Sequence, residues 1–143
     1  MKRIFLLLVG LCVSGCFNGE KHATDWQPIP YREPVDCCMS AEQVQGAIRT
    51  AMIKRDWHVL DIEDNRVYAY LSCYGTEADV VFSSTDKYYD ITFENVKEAD
   101  FNDHDCIYSK IDDLNYVINR YLRKISKRNA KAEMKAAKKA MKQ

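Results

Sequence analysis

An α+β fold of order α-β-β-β-β-α is predicted over residues 40–125, with a four-stranded antiparallel meander and two helices on one of its faces. Three observations carry it. Apolar residues recur at helical spacing just after Ser40 and again after Ser109. Between those stretches lie runs in which apolar and polar residues alternate. The runs are separated by short turn segments, which favour antiparallel pairing.

Ser40 reads as a helix N-cap, with Gln43 as its capping-box partner. Val44, Ala47, Ile48, Ala51 and Met52 then share one helical face, giving a helix over about residues 41–55. Trp57 to Ile62 reads as a short strand ending at Glu63-Asp64-Asn65. From Arg66 to Tyr74, Val67, Ala69, Leu71 and Cys73 alternate with Tyr68, Tyr70, Ser72 and Tyr74. Gly75-Thr76 marks a turn. Ala78, Val80 and Phe82 form the next strand, and Tyr89, Ile91 and Phe93 the last, with Thr85-Asp86-Lys87 between them. An acidic loop over 97–105 leads to a second helix, roughly Ser109 to Ile125, whose stripe is Ile111, Leu114, Ile118, Tyr121, Leu122 and Ile125. Asp112 and Asp113 suit its positive N-terminal end.

The face bearing Val67, Leu71, Val80, Phe82, Ile91 and Phe93 is expected under both helices, leaving the other sheet face open. Tyr68, Tyr70, Tyr74 and Tyr88 would share that open face. They are a candidate binding face for a glycan or an envelope protein. The competing reading is cross-strand packing that stabilises an exposed sheet.

Ahead of this domain, Met1-Lys2-Arg3 and the apolar run Ile4–Val13 precede Ser14-Gly15-Cys16. The run is too short to span a bilayer, which needs about 20 residues, and no Ala-x-Ala-like cleavage site follows it. Val13-Ser14-Gly15-Cys16 resembles the lipobox of bacterial lipoproteins. The resemblance implies a signal peptide over 1–15 and lipid on the sulfur and amine of Cys16. Phe17, where Asp would signal inner-membrane retention, implies the outer membrane, facing the periplasm. Each buried methylene adds about 0.8 kcal/mol, so several acyl chains make a lasting anchor. Residues 16–39, with Pro28, Pro30 and Pro34, read as a tether.

The formal net charge is zero but divided. Residues 16–119 carry nine Lys/Arg against 20 Asp/Glu, and residues 120–143 carry ten against one. The tail, 126–143, is Ala/Lys-rich and reads as helical or disordered. It is expected to contact anionic lipid, lipopolysaccharide or an acidic protein. Export from the cytoplasm argues against nucleic acid as a partner.

Cys12 leaves with the signal and Cys16 takes lipid, so Cys37, Cys38, Cys73 and Cys106 remain for an oxidising compartment. Four cysteines allow three connectivities. The meander puts Cys73, at the end of its strand, and Cys106, just before the second helix, at the same end of the domain. Their pairing is predicted. Cys37 and Cys38 then bridge each other, bond another chain or stay reduced. Cys38–Cys106 with Cys37–Cys73 is the alternative.

Glu42-Gln43-Val44-Gln45-Gly46-Ala47-Ile48, Lys54-Arg55-Asp56-Trp57 and the three alternating runs resemble a group of small bacterial lipoproteins of unknown function. Those proteins carry a Gln-Val-x-x-Ala-Ile helix, an Arg-Gly-Trp strand entry and a tyrosine-rich antiparallel sheet. Asp56 stands where the group usually has Gly, and Leu114-Asn115 only partly matches its Tyr-Asn. The resemblance covers about residues 40–125 and implies a fold; it brings no catalytic residues.

His22, His58 and His104 are scattered, and His58 reads as a surface residue. The segment 100–105 lacks the central Gly and terminal Glu of a calcium loop. There is no nucleophile elbow, Walker loop, zinc-protease helix or Cys-x-x-Cys pair. No metal, cofactor or catalytic residue is therefore expected. The sequence reads as a non-enzymatic envelope lipoprotein, a binding or structural module. The alternative is an inhibitor of a periplasmic hydrolase such as a lysozyme, because a small, stapled, acidic domain suits a cationic enzyme.

Overall fold

A computed structural model describes residues 28–36, 38–97 and 104–142. The elements run β1 (Tyr31–Pro34), α1 (Ala41–Lys54), β2 (His58–Glu63), β3 (Arg66–Cys73), β4 (Thr76–Ser84), β5 (Tyr88–Lys97) and α2 (His104–Ala140). The signal segment, Cys16, Cys37 and most of the acidic loop lie outside the described residues.

The class is α+β, and the sheet is antiparallel throughout, in the order β1-β5-β4-β3-β2. It has five strands rather than the expected four. The additional strand, β1, lies inside the segment read as a tether. Tyr31 pairs with Ile91, Arg32 with Asp90 and Glu33 with Tyr89. Pro30 and Pro34 mask this strand in the sequence. Structurally they suit it, because an edge strand has no ladder partner on one side. The bidentate Arg32–Asp90 ion pair, at 2.7 and 2.9 Å, fastens β1 to β5. The ordered domain thus begins well before residue 40.

Helix α1 starts as its sequence dictates. Gln43 N–H donates to Ser40 Oγ at 3.2 Å, and Ser40 N–H donates to Gln43 Oε1 at 3.1 Å, which closes the capping box. Its end follows the Schellman pattern: Trp57 N–H donates to Met52 O at 3.0 Å and Asp56 N–H to Ile53 O at 3.3 Å. That pattern needs a left-handed residue between them, and Asp56 supplies it at φ 53°. Glycine is the usual occupant because it has no Cβ to clash.

The β3–β4 turn lies one residue earlier than the sequence reading had it. Tyr74 (φ 47°) and Gly75 (φ 86°) both adopt positive φ. Two such residues form the turn whose twist matches a tight hairpin.

Alternation along β3, β4 and β5 sends Val67, Leu71, Val80, Phe82 and Ile91 into a core with Val44, Ile48 and Met52 of α1 and Ile107, Ile111, Leu114 and Ile118 of α2. Both helices cover that face. Gln45 Nε2 donates to the carbonyls of Glu63 (3.1 Å) and Arg66 (3.4 Å), locking α1 onto the β2–β3 hairpin.

Helix α2 begins before the predicted 109 and continues past 125 through the tail read as helical or disordered, which is helical to Ala140. Its 37 residues make a rod about 55 Å long. Docking continues to Asn129, whose Nδ2 donates to Cys38 O and, at 3.1 Å, to Gln43 Oε1. Every described residue beyond it is exposed. Ala, Lys and Met favour helix there, and propagation from a docked rod avoids the nucleation cost.

Candidate interaction surfaces

Cys73 and Cys106 lie at disulfide distance, with Cα atoms 6.1 Å apart, as predicted. The bridge fixes the first turns of α2 to the end of β3. Cys38, by contrast, sits beside Asn129, 23 residues further along α2 than Cys106 and thus about 34 Å away along its axis.

Next to the bridge lies a cleft of about 330 Å³ lined by the α1–β2 corner, β3 and α2. Arg55, Asp56, Trp57 and His58 come from the α1–β2 corner, Tyr70 and Ser72 from β3, and Lys110 and Asp113 from α2. Arg55 Nη2 meets Asp113 Oδ1 at 2.8 Å, so an ion pair joins α1 to α2 beside the cleft. Trp57 is half-buried, its ring edge-on to Phe82 with centroids 6.1 Å apart. A hydrogen bond with Glu77, together with desolvation, raises the Tyr70 phenol above its ordinary pKa. Periodicity alone puts His58 and Tyr70 on separate strands and does not bring them together. The signal for the cleft was the acid at 56, in a position that resembles a glycine site.

The open sheet face carries Tyr68 and Tyr70, two residues apart on β3. In register, one row across the sheet is Asp61, Tyr68, Val81 and Thr92; the next is His58, Tyr70, Asp79 and Glu94. Val81 is buried although it points to this face, so the neighbouring side chains of its row cover it. Tyr68 Oη donates to Glu63 at 3.1 Å. Tyr88 lies two strands away, about 10 Å across the sheet, with the Arg32 guanidinium 4.1 Å above its ring. Tyr74 leaves the face altogether, because it belongs to the β3–β4 turn, where it is 76% exposed. The four tyrosines therefore do not form one patch.

The third surface runs along α2. Tyr116, Arg120, Arg123, Lys127, Lys131, Met134, Lys138 and Met141 are spaced three or four apart, which places them in one row about 38 Å long. This row lies opposite the buried Ile111, Ile118 and Leu122 and so points away from the sheet. Tyr116, Met134 and Met141 are 67%, 62% and 80% exposed within it. Lys124, Lys135 and Lys142 flank the row. Acids at the start of α2 and bases towards its end both suit the helix dipole.

Among the described residues, no His, Cys, Asp and Glu side chains group to hold a metal ion, and no helix is long and apolar enough to cross a membrane. No protein-family model and no curated protein matches this chain.

Proposed function

We propose that this chain is a non-enzymatic lipoprotein of the bacterial cell envelope, held by lipid on Cys16 and laid against an anionic membrane surface along α2. The observation that carries this reading is the basic row on α2. It is continuous from the docked half of the helix to the free half, and it faces away from the rest of the domain. Each Lys or Arg near an anionic surface contributes about 1 kcal/mol. Exposed Tyr116, Met134 and Met141 add apolar contacts at intervals along the same row.

The geometry of chain entry supports a flat orientation. Ile29 N–H donates to Tyr108 Oη at 3.4 Å, so the chain enters the domain beside the first turns of α2. The stretch from Cys16 to Ile29 reaches at most about 45 Å. A lipid on Cys16 thus keeps the start of the row within about 45 Å of the bilayer, and a flat orientation lays the basic end along the same surface. The high effective concentration of a tethered domain makes modest electrostatic attraction sufficient. In this orientation the open sheet face points away from the membrane.

Mass spectrometry of the mature chain tests the anchor. The expected product begins at Cys16 and carries acyl groups. A mature chain that retains residues 1–15, or begins at Cys16 without acylation, contradicts the reading.

A second reading is favoured by the open sheet face. Asp61, Glu63, Asp79 and Glu94 surround Tyr68 and Tyr70 there, a combination suited to a cationic protein such as a periplasmic hydrolase. Salt-sensitive capture of a basic lysozyme, lost in the Tyr68→Ala/Tyr70→Ala variant, is the expected outcome. Capture that persists in that variant counts against it.

A further inference from the structure

We propose that the cleft at the α1–β2 corner binds one uncharged, hydroxyl-rich ring, a neutral pyranose sugar. The inference stands apart from the membrane reading, because the cleft includes none of the α2 basic row.

Size sets the first limit. At about 330 Å³ the cleft lies at the lower end of small-molecule sites, which suits a single ring. Charge sets the second. Arg55 and Lys110 bring positive charge, and Asp56 and Asp113 bring negative charge. An anionic ligand would meet two carboxylates, and a cationic one would meet two cations. A neutral polyol satisfies both kinds, since each hydroxyl donates to a carboxylate and accepts from an ammonium, guanidinium or imidazole N–H. Half-buried Trp57 and Tyr70 add aromatic atoms to the lining, against which the apolar C–H groups of a sugar can pack.

The cleft is also preorganised. The Cys73–Cys106 bridge holds β3 against α2 on one side, and the Arg55–Asp113 ion pair joins α1 to α2. Little ordering is then required when a ligand enters. Asp56, held at φ 53° at the end of α1, places its carboxylate in the lining of the cleft.

The test is an NMR titration of the purified full chain with glucose, galactose and N-acetylglucosamine, with glucosamine and glucuronate as charged comparators. At least one neutral sugar should give saturable shifts of the Trp57 indole N–H and of the His58 and Ser72 amides, with a Kd on the order of 1–10 mM. His58→Ala and Tyr70→Ala replace exposed or half-buried side chains, and an unchanged amide spectrum verifies their folds. Each should weaken binding about three- to tenfold, His58→Ala by one lost hydrogen bond and Tyr70→Ala by lost aromatic contact. Three results overturn the proposal: no shift with any neutral sugar at about 50 mM, tighter binding of a charged comparator, or binding that neither substitution weakens.

Discussion

Tyr89 Oη donates to Asn115 Oδ1 at 2.8 Å inside the core, and Asn115 Nδ2 donates onward to Glu33 Oε1 at 3.3 Å. One polar chain therefore links β5, α2 and β1. Tyr89 is fully buried and Asn115 is 8% exposed, so neither has water as a ready substitute partner. Asn115→Leu leaves the phenol without this acceptor and should cost about 1–3 kcal/mol in urea unfolding. It should also speed hydrogen exchange in β1, whose link to α2 it removes. Unchanged stability and unchanged β1 exchange would show that the chain holds nothing together.

The same tyrosine gives the fold a pH limit. Burial, and then the nearby Glu33 carboxylate, push its pKa well above the ordinary value near 10. In the unfolded chain it ionises near pH 10, whereas in the folded protein it stays neutral. Its contribution to stability is therefore complete below pH 10 and lost as pH rises towards the folded value. The loss should approach about 1.4 kcal/mol per pH unit above 10. Comparing Tyr89→Phe with the parent isolates the effect from other titrating groups. The variant should show the shallower decline between about pH 10 and 11.

Asp56→Gly removes the left-handed strain at the end of α1. The gain is offset in part by the entropy of glycine in the unfolded chain. A net stabilisation of about 0.5–1 kcal/mol is expected, read as a higher urea midpoint at unchanged slope. The same substitution should weaken sugar binding, because it removes a carboxylate from the cleft. A stability gain with binding intact would detach Asp56 from that site.

Cys73 and Cys106 are separated by 33 residues. In the chain-entropy account, closing such a loop stabilises by about 3–4 kcal/mol. The double serine variant should lose that amount. Its hydrogen exchange should rise first in the opening turns of α2 and at the β3 end. Loss spread evenly over the domain would indicate a bridge that does not act locally.

Much of this architecture was legible in the sequence. The Ser40/Gln43 cap, the stripes of α1 and α2 and the alternation of β3 to β5 each rest on short-range periodicity, and the structure follows them. The Cys73–Cys106 pairing was legible because a meander fixes which ends meet. β1 was not, since a four-residue strand flanked by prolines has no strong local signal. Its identity depends on residues 88–91, far away in the chain. That the tail continues α2 as one helix was not legible, because its free half has no apolar stripe to bury. The corner cleft was hidden for a different reason: residues from 55 to 113 meet there only after the sheet and helices have closed. The spread of the tyrosines likewise depends on strand order, which puts β4 between Tyr88 and Tyr68.

The central claim is that α2 lies on an anionic membrane surface. The direct measurement is vesicle sedimentation of a Cys16→Ser chain lacking residues 1–15, at low salt, with the same chain truncated after 130 as comparator. Anionic vesicles should retain the longer chain and neutral vesicles should not. Retention should fall as salt rises and shortens the Debye length to about 8 Å near 0.15 M. The truncated chain should keep its fold, because it retains Asn129, which supplies the last described side-chain hydrogen bonds from α2 to the domain, and it should bind far less. Equal retention of both chains, or equal retention on neutral and anionic vesicles, would contradict the account.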